Sequence, residues 1–426
     1  MNNRLLYFKY ALSSLVGLFM TTACVEEYEA ELPETESRLL VVDGTICSNS
    51  YCIFQLTWSV PISDRHESDK YYYTSSSSDD YYLPAQYVSG ARITICGTDG
   101  SKYECPEVVR QYEEWNSDYI AYYGTGIYGC FTPELDPNVS YYVTIEYNGD
   151  TWQSTPEKPI RTPDIETLEY FQKDSLSNVE VLLTTAAPDD PNQMTYYTWN
   201  YGETWEVRPA RETKIYFDLN TLTKQNLPDD QKYPERGWKY GHDETILTAS
   251  SAHYDGGKFT RYQLLEIPRD DERVSWYYCN DVTQRAISKA EYEYDMACIQ
   301  AGWEMGGLFS PQPSALPTNI RCLTSSNRAI GYVGCSLNVA RKRMYIDGTK
   351  ISRILPEPGP LKIFDSCSEI DCIKMVQNGW VLYLWYDGRM IGDPLSTYWA
   401  YPFDFDVRLK GASVFKPDYM PPFEEN

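Results

Sequence analysis

Hydrophobic positions along most of this chain follow the two-residue alternation of β-strands. After residue 38, short runs rich in Val, Ile, Tyr, Thr and Trp are separated by turn residues, as in RLLVVDGTI, YCIFQLTWSV and ARITIC. Residues of these types favour strands. Asn148-Gly149-Asp150 lies between two such runs, which is typical of a tight β-hairpin. The strand spacing over residues 38–162 predicts an antiparallel sandwich of immunoglobulin or fibronectin type.

A proline-rich segment divides the chain after this predicted sandwich. TPEKPIRTP, residues 155–163, holds three prolines in nine residues and is predicted to be a domain linker. Beyond it, KIYFDL, RYQLLEIP, RVSWYYCNDV and WVLYLWY again resemble strands. We therefore expect a larger, mainly β C-terminal domain over residues 163–426, so that the chain has two domains, as its length suggests.

Two segments follow a helical pattern instead. Residues 288–301 begin with Ser288 and Glu291, which have the spacing of a capping box and predict a helix packed across a sheet. A second capping box, Ser366 with Glu369, predicts the start of a helix over EIDCIKMVQ. The expected fold is therefore mainly β with one or two short helices.

The first 23 residues have the layout of a secretory signal. Arg4 and Lys9 give a basic start, residues 10–20 are apolar, and Thr-Thr-Ala precedes Cys24. The apolar run is too short to be a stable membrane span. A cysteine directly after such a box resembles bacterial lipoproteins, which implies cleavage before Cys24 and a lipid on its thiol. The alternative is an ordinary secreted protein in which Cys24 stays a thiol.

An acidic segment follows Cys24. Residues 24–37 contain Glu26, Glu27 and Glu29 and almost nothing apolar, so we expect a flexible tether that buries no core. Acidic residues at this place resemble the surface-export signal of Bacteroidetes-type lipoproteins, which implies an outer-membrane protein that faces the cell exterior. A solvated linker in a protein retained in the periplasm is the alternative.

Charge and cysteine content narrow the expected partners. The formal net charge is −24, which disfavours direct binding to nucleic acid or to an anionic lipid surface. The lipid is then the expected membrane attachment. Twelve cysteines in an exported chain suggest disulfides, with two close pairs as candidates: Cys47 with Cys52, and Cys367 with Cys372. With three histidines in the chain, neither a zinc site nor another cofactor is expected.

One long insertion interrupts the predicted sandwich. Residues 63–84 lack hydrophobic periodicity and contain a serine run and five tyrosines: Tyr71, Tyr72, Tyr73, Tyr81 and Tyr82. Such a loop is either mobile and exposed or functional. In the second case the tyrosines would contact a ligand or partner, since tyrosine covers surface at low entropic cost.

Motifs that would place an active site are missing from the sequence. It contains no GxSxG, HExxH, GxxxxGK[ST] or GxGxxG pattern. His242 and His253 are candidate general bases without a nucleophile nearby in sequence. A pair of catalytic carboxylates depends on the fold and cannot be located from sequence. We expect no enzyme, and keep an unrecognised carboxylate site as the third hypothesis for function.

Several segments together resemble one protein family. They are the opening RLLVVDGTI, Gly307–Pro311, Pro317, Asn319–Ile320, Ile330–Tyr332, the basic Arg341–Arg343 and the closing KPDYM. In combination they resemble the domain-of-unknown-function 4249 family of Bacteroidetes lipoproteins over most of residues 38–420. The chain departs from the family in the long segment between Cys372 and the closing KPDYM.

The resemblance implies a β-rich outer-membrane lipoprotein, commonly encoded beside a TonB-dependent receptor, with no established activity. The first functional hypothesis is therefore a non-catalytic accessory that binds a small ligand of unknown class or the TonB-dependent receptor itself. A structural or adhesive envelope protein is the alternative.

Overall fold

The computed structural model describes residues 39–59, 87–113, 120–190, 192, 194–242, 245–303, 316–386 and 395–420. The first strands are β1 Leu40–Cys47, β2 Ser50–Trp58, β3 Arg92–Gly97, β4 Lys102–Cys105, β5 Glu107–Glu113, β6 Ile120–Thr132, β7 Tyr141–Tyr147, β8 Asp150–Ser154, β9 Ile165–Phe171, β10 Val179–Thr185 and β11 Tyr196–Val207. The later strands are β12 Ile215–Asp218, β13 Thr223–Asn226, β14 Gly237–His242, β15 Leu247–Ser250, β16 Tyr262–Ile267, β17 Tyr277–Ile287, β18 Ile320–Cys322, β19 Ala329–Ser336, β20 Ala340–Asp347, β21 Lys362–Phe364, β22 Val381–Tyr386 and β23 Ser396–Ala400. The α-helices are α1 Lys289–Trp303 and α2 Glu369–Gln377. The predicted mainly β fold is confirmed.

Two five-stranded sheets, built mostly from the N-terminal part of the chain, form a sandwich that we call the N-terminal sandwich. One has the strand order β19-β1-β2-β6-β5, and the other has the order β18-β8-β7-β3-β4. Alternate residues of each strand point inward, because successive side chains of a strand face opposite sides of its sheet. Leu40 and Phe54 from the first sheet thus share one buried core with Ile93, Val143 and Trp152 from the second.

The Asn148-Gly149 hairpin is confirmed. The two residues connect β7 to β8 with φ angles of 50° and 86°. Two successive positive φ angles match the twist of the paired strands, and Asn and Gly adopt them at the lowest steric cost. The backbone preferences of Asn148 and Gly149 therefore determine this turn.

Sheet pairing crosses the predicted domain boundary at residue 162. β19 pairs in parallel with β1, from Leu40 opposite Ala329 to Cys47 opposite Ser336. β18 pairs with β8 at the edge of the other sheet. The N-terminal sandwich is thus completed by strands that lie far along the chain.

A second β unit follows the linker. Its larger sheet has the order β14-β11-β17-β20, with β15 also paired to β11, and its smaller sheet has the order β16-β10-β9. Trp199 and Phe259 meet edge to face, with ring centroids 5.5 Å apart, in the shared core. Such contacts between large aromatic side chains add to the stability gained from buried area.

The C-terminal part adds small sheets and the second helix. β21, β23 and β22 form one sheet, and β12 pairs with β13. Cys372 and Met375 of α2 pack with Trp399 in a separate small core. Among the described residues, no helix is long and apolar enough to cross a membrane.

Both predicted helices are present; α1 begins with the predicted serine cap, whereas the cap of α2 differs from the expectation. At α1, the Ser288 hydroxyl accepts a hydrogen bond from the backbone N–H of Glu291 at 3.1 Å. The predicted box of Ser366 and Glu369 at α2 was wrong. Ser368 and Asp371 form the reciprocal box there, with 3.2 Å between the Asp371 nitrogen and the Ser368 hydroxyl. Two serines near one helix start make this choice ambiguous in the sequence.

Candidate functional site

Most residues predicted to have a functional role lie outside the described part of the chain. These are the lipidation candidate Cys24, the acidic residues Glu26, Glu27 and Glu29, and the loop residues Tyr71, Tyr72, Tyr73, Tyr81 and Tyr82. They stay predictions. His242 and His253 are described, and both are exposed.

The two cysteine pairs predicted as disulfides carry free thiols in the structure. The sulfur atoms of Cys367 and Cys372 lie 3.2 Å apart at the start of α2. In the other pair, the backbone N–H of Cys47 donates to the sulfur of Cys52 at 3.1 Å. Both pairs are therefore close in space as well as in sequence, and their oxidation stays a prediction.

Four charged residues and a tyrosine gather where α1 meets the sheets. We call this group the helix junction; it consists of Glu157, Arg285, Glu291, Asp295 and Tyr332. The helix lies against β11, β15 and β19. It thereby contacts strands of both β units.

An ion pair forms the centre of the helix junction. Nη2 of Arg285 lies 2.5 Å from Oε1 of Glu291, and the two side chains are 16% and 7% exposed. Gly334 on β19 leaves the necessary space, because a β-carbon there would lie 2.5 Å from Oε2 of Glu291. Such a low exposure makes the loss of either partner costly, since the remaining charge would be buried alone.

Tyr332 connects the carboxylate of Glu157 to α1. Its hydroxyl donates a hydrogen bond to Glu157 and lies 3.1 Å from the hydroxyl of Ser288. Its ring contacts the ring of Tyr294, with centroids 5.8 Å apart. Glu157 belongs to the segment predicted as a linker, so this contact ties the linker to α1.

Burial makes two carboxyl groups of the junction, those of Asp295 and Glu157, harder to ionise. It raises the pKa of Asp295 to about 7, and the nearby charge of Glu291 adds to the rise while Arg285 opposes it. Burial likewise raises the pKa of Glu157, against the effect of the Tyr332 hydrogen bond. The carboxyl groups of Glu157, Glu291 and Asp295 lie near one guanidinium, that of Arg285. A proton bound to one of these carboxyl groups near neutral pH therefore reduces the repulsion between their negative charges.

The predicted linker is fixed to the end of β19 and to the segment that follows this strand, rather than free. The backbone N–H of Thr162 donates to Oδ1 of Asn338 at 2.9 Å, and its hydroxyl donates to the Asn338 carbonyl at 2.7 Å. Ile160 donates its N–H to the carbonyl of Cys335 at 3.1 Å. This part of the chain therefore forms a rigid wall.

A cleft of about 630 Å³ opens beside that wall. We call it the linker cleft; it is lined by residues 160–164, 186–190, 194–197, 286–289 and Asn338. Its volume falls within the range of small-molecule sites. The cleft and the helix junction meet at Ser288, which lines the cleft and whose hydroxyl contacts Tyr332.

The cleft carries charge of both signs and one buried polar group. Lys289 lines it at the start of α1, and Asp164 lines it from the linker. Tyr197 is 0% exposed, and its hydroxyl, although near Thr195, makes no hydrogen bond of normal geometry. A buried hydroxyl without a partner is unfavourable, so this atom is a candidate ligand contact.

Sequence patterns did not indicate these two sites. Ser288 and Glu291 were recognised only as helix caps, and the Glu291 carboxylate instead pairs with Arg285. No sequence pattern distinguished Asp164 and Asp295 from the other acidic residues of the chain, which has 61 Asp and Glu in total. In the described part of the chain, no group of three or more His, Cys, Asp or Glu side chains is arranged to hold a metal ion.

Comparison with protein-family models gives one match. The model described as Domain of unknown function (DUF4249) matches residues 25–343, which is most of the chain. The chain belongs to this family. The match includes β1 to β19, the helix junction and the linker cleft, and it ends within β20. The C-terminal segment with α2 lies beyond the match. A search of curated proteins found no match.

Proposed function

We propose that this DUF4249 protein is a lipid-anchored protein of the outer membrane. The observation that carries the proposal is the position of Cys24, directly after an apolar run and the small residues Thr-Thr-Ala. Glu26, Glu27 and Glu29 follow it, which supports display on the cell exterior. In this proposal the protein acts without catalysis, as a ligand-binding partner of a TonB-dependent receptor.

The linker cleft supports the ligand-binding part of the proposal. It has the volume of a small-molecule site, and its walls are held by hydrogen bonds between Thr162 and Asn338. Preformed walls favour binding, because little conformational entropy is lost when the ligand enters.

Metabolic labelling with a clickable fatty acid tests the anchor. In the host bacterium, the wild-type protein is expected to carry the label and to fractionate with outer membranes. Cys24→Ser is expected to lose both, and Cys47→Ser, as a matched cysteine control, should keep both. A labelled Cys24→Ser protein would contradict the proposal. Replacement of Glu26, Glu27 and Glu29 by alanine should keep the label but protect the protein from protease added to intact cells.

Purification in a mild detergent tests the partner. The tagged wild-type protein is expected to retain a TonB-dependent receptor, identified by mass spectrometry, whereas Cys24→Ser should retain much less because it is no longer confined to the membrane. Repeated recovery of the lipidated protein without a receptor would refute this part.

A further inference from the structure

We infer that the linker cleft binds a short peptide through both of its charged ends, the terminal ammonium and the terminal carboxylate. This inference deepens the proposed function and rests on the cleft as its ligand site. It is argued from the charges, the size and the buried hydroxyl of the cleft.

The wall formed by α1 suits a carboxylate. Lys289 is the first residue of this 15-residue helix, and residues 286–289 line the cleft. The first N–H groups of a helix have no partner within the helix, and the helix dipole places partial positive charge there. The Lys289 ammonium lies 3.2 Å from Glu293, and the two side chains are 70% and 58% exposed. Such an exposed pair is weak, so a ligand carboxylate can compete for the lysine.

The linker wall suits an ammonium group. Asp164 is exposed at the cleft, and its backbone carbonyl is fixed by a 2.7 Å hydrogen bond from the N–H of Ala186. Two further acids line the cleft and have other partners. Asp189 lies 3.7 Å from Arg161, and Asp190 accepts a hydrogen bond from the backbone of Asn192 at 2.9 Å. Asp164 is therefore the carboxylate that we assign to the ligand ammonium.

The hydroxyl of Tyr197 points to a ligand independently of these charges. Its ring is held in the core by Trp199 and Phe259, with centroid distances of 5.9 and 5.4 Å. Tyr197 lines the cleft, and its hydroxyl is buried and makes no hydrogen bond of normal geometry. A polar ligand atom in the cleft would supply the missing partner, and peptide groups offer both donors and acceptors.

Other ligand classes fit the cleft less well. A simple anion would face the acids of the linker side, and a simple cation would face Lys289 and Arg161. A sugar usually needs a free aromatic face, but Tyr196 at the cleft already contacts the ring of Tyr292, with centroids 5.0 Å apart. The volume of about 630 Å³ accommodates a molecule of dipeptide size.

Titration calorimetry with the full-length lipidated protein in detergent tests the inference. The probes are L-alanyl-L-alanine, its N-acetyl derivative and its C-terminal amide. The free dipeptide is expected to bind, and each blocked derivative should bind about tenfold more weakly, equivalent to about 1.4 kcal/mol. Equal binding of all three would overturn the zwitterion inference but keep the cleft as a ligand site.

Charge variants assign each end of the ligand. Lys289→Gln should abolish the preference for a free carboxylate, and Asp164→Asn should abolish the preference for a free ammonium. Lys350→Gln, which alters an exposed lysine elsewhere, is the control and should keep both preferences. Binding that survives both cleft variants unchanged would place the ligand elsewhere and overturn the inference.

Tyr197→Phe separates binding from folding. Because the hydroxyl has no hydrogen bond of normal geometry, its removal should leave thermal stability equal or higher, while dipeptide affinity falls. Lower stability with unchanged affinity would refute the assigned contact. If no probe binds the wild-type protein, the inference fails. The proposed function is tested separately, by fatty-acid labelling and by recovery of the receptor.

Discussion

Arg285 at the end of β17 and Glu291 in the first turn of α1 form an ion pair, with 2.5 Å between Nη2 and Oε1. The pair fixes the helix to the strand that precedes it. Because α1 also contacts β19 of the N-terminal sandwich, this single contact helps to hold the two β units together.

Breaking this pair should destabilise the fold strongly. Arg285→Ala leaves Glu291 nearly buried without its cation, so the free energy of unfolding should fall by about 3 kcal/mol. Urea denaturation followed by tryptophan fluorescence measures it. Lys232→Ala, which removes an exposed ion pair with Asp229, is the control and should change nothing measurable. Equal small effects in both variants would show that the junction is not a stabilising contact.

Gly334→Ala should damage the same junction by crowding. The new methyl group would lie 2.5 Å from Oε2 of Glu291 and 2.8 Å from Nη1 of Arg285. Overpacking of this kind costs about 1–3 kcal/mol, which a shift of the urea midpoint would reveal. Gly202→Ala on β11 is a matched control, because no atom lies within 4 Å of the added carbon. A larger loss for Gly202→Ala would contradict the geometry described.

Asp295 should make stability depend on pH in an unusual direction. Its pKa is about 7 in the folded protein against an ordinary aspartate value of 3.8, so the folded state binds the proton more tightly. Its contribution is fully present below pH 3.8 and is lost as the pH rises through 7. Asp43 adds to the negative charge around it.

Denaturation of wild type and Asp295→Asn between pH 4.5 and pH 8 isolates this effect. The variant should gain stability relative to wild type as the pH rises, and the difference should level off above pH 7. Asp99→Asn is the control: hydrogen bonds from Ser101 lower the pKa of Asp99, so this residue is ionised in the folded and unfolded states throughout the range, and its difference from wild type should stay constant with pH. If the difference in stability between wild type and Asp295→Asn is the same at every pH, a raised pKa of Asp295 is excluded.

Cys367 and Cys372 should form a disulfide when the protein meets oxidised glutathione. Their sulfur atoms are 3.2 Å apart, so little movement is needed for thiol exchange. Peptide mapping after alkylation under denaturing, non-reducing conditions should find this pair protected from alkylation. Cys279, a single buried thiol on β17, should stay alkylated and serves as the control. Free Cys367 after complete oxidant treatment would contradict the prediction.

The sequence by itself determined the local structure of this protein. Asn148-Gly149 specified its hairpin because few residues accept two positive φ angles in succession. Alternating Val, Ile and Tyr specified strands, and Ser288 specified the start of α1 through its hydroxyl. In each case the interaction that decides the structure lies within a few residues of the chain.

Tertiary structure decided which distant parts of the chain meet. The parallel pairing of β1 with β19 joins Leu40 to Ala329, and no local pattern encodes a partner so far along the chain. The same folding brings Glu157, Arg285 and Asp295 together out of many similar charged residues. Their burial and mutual distance, which set their pKa values and their role, exist only once the sheets have packed.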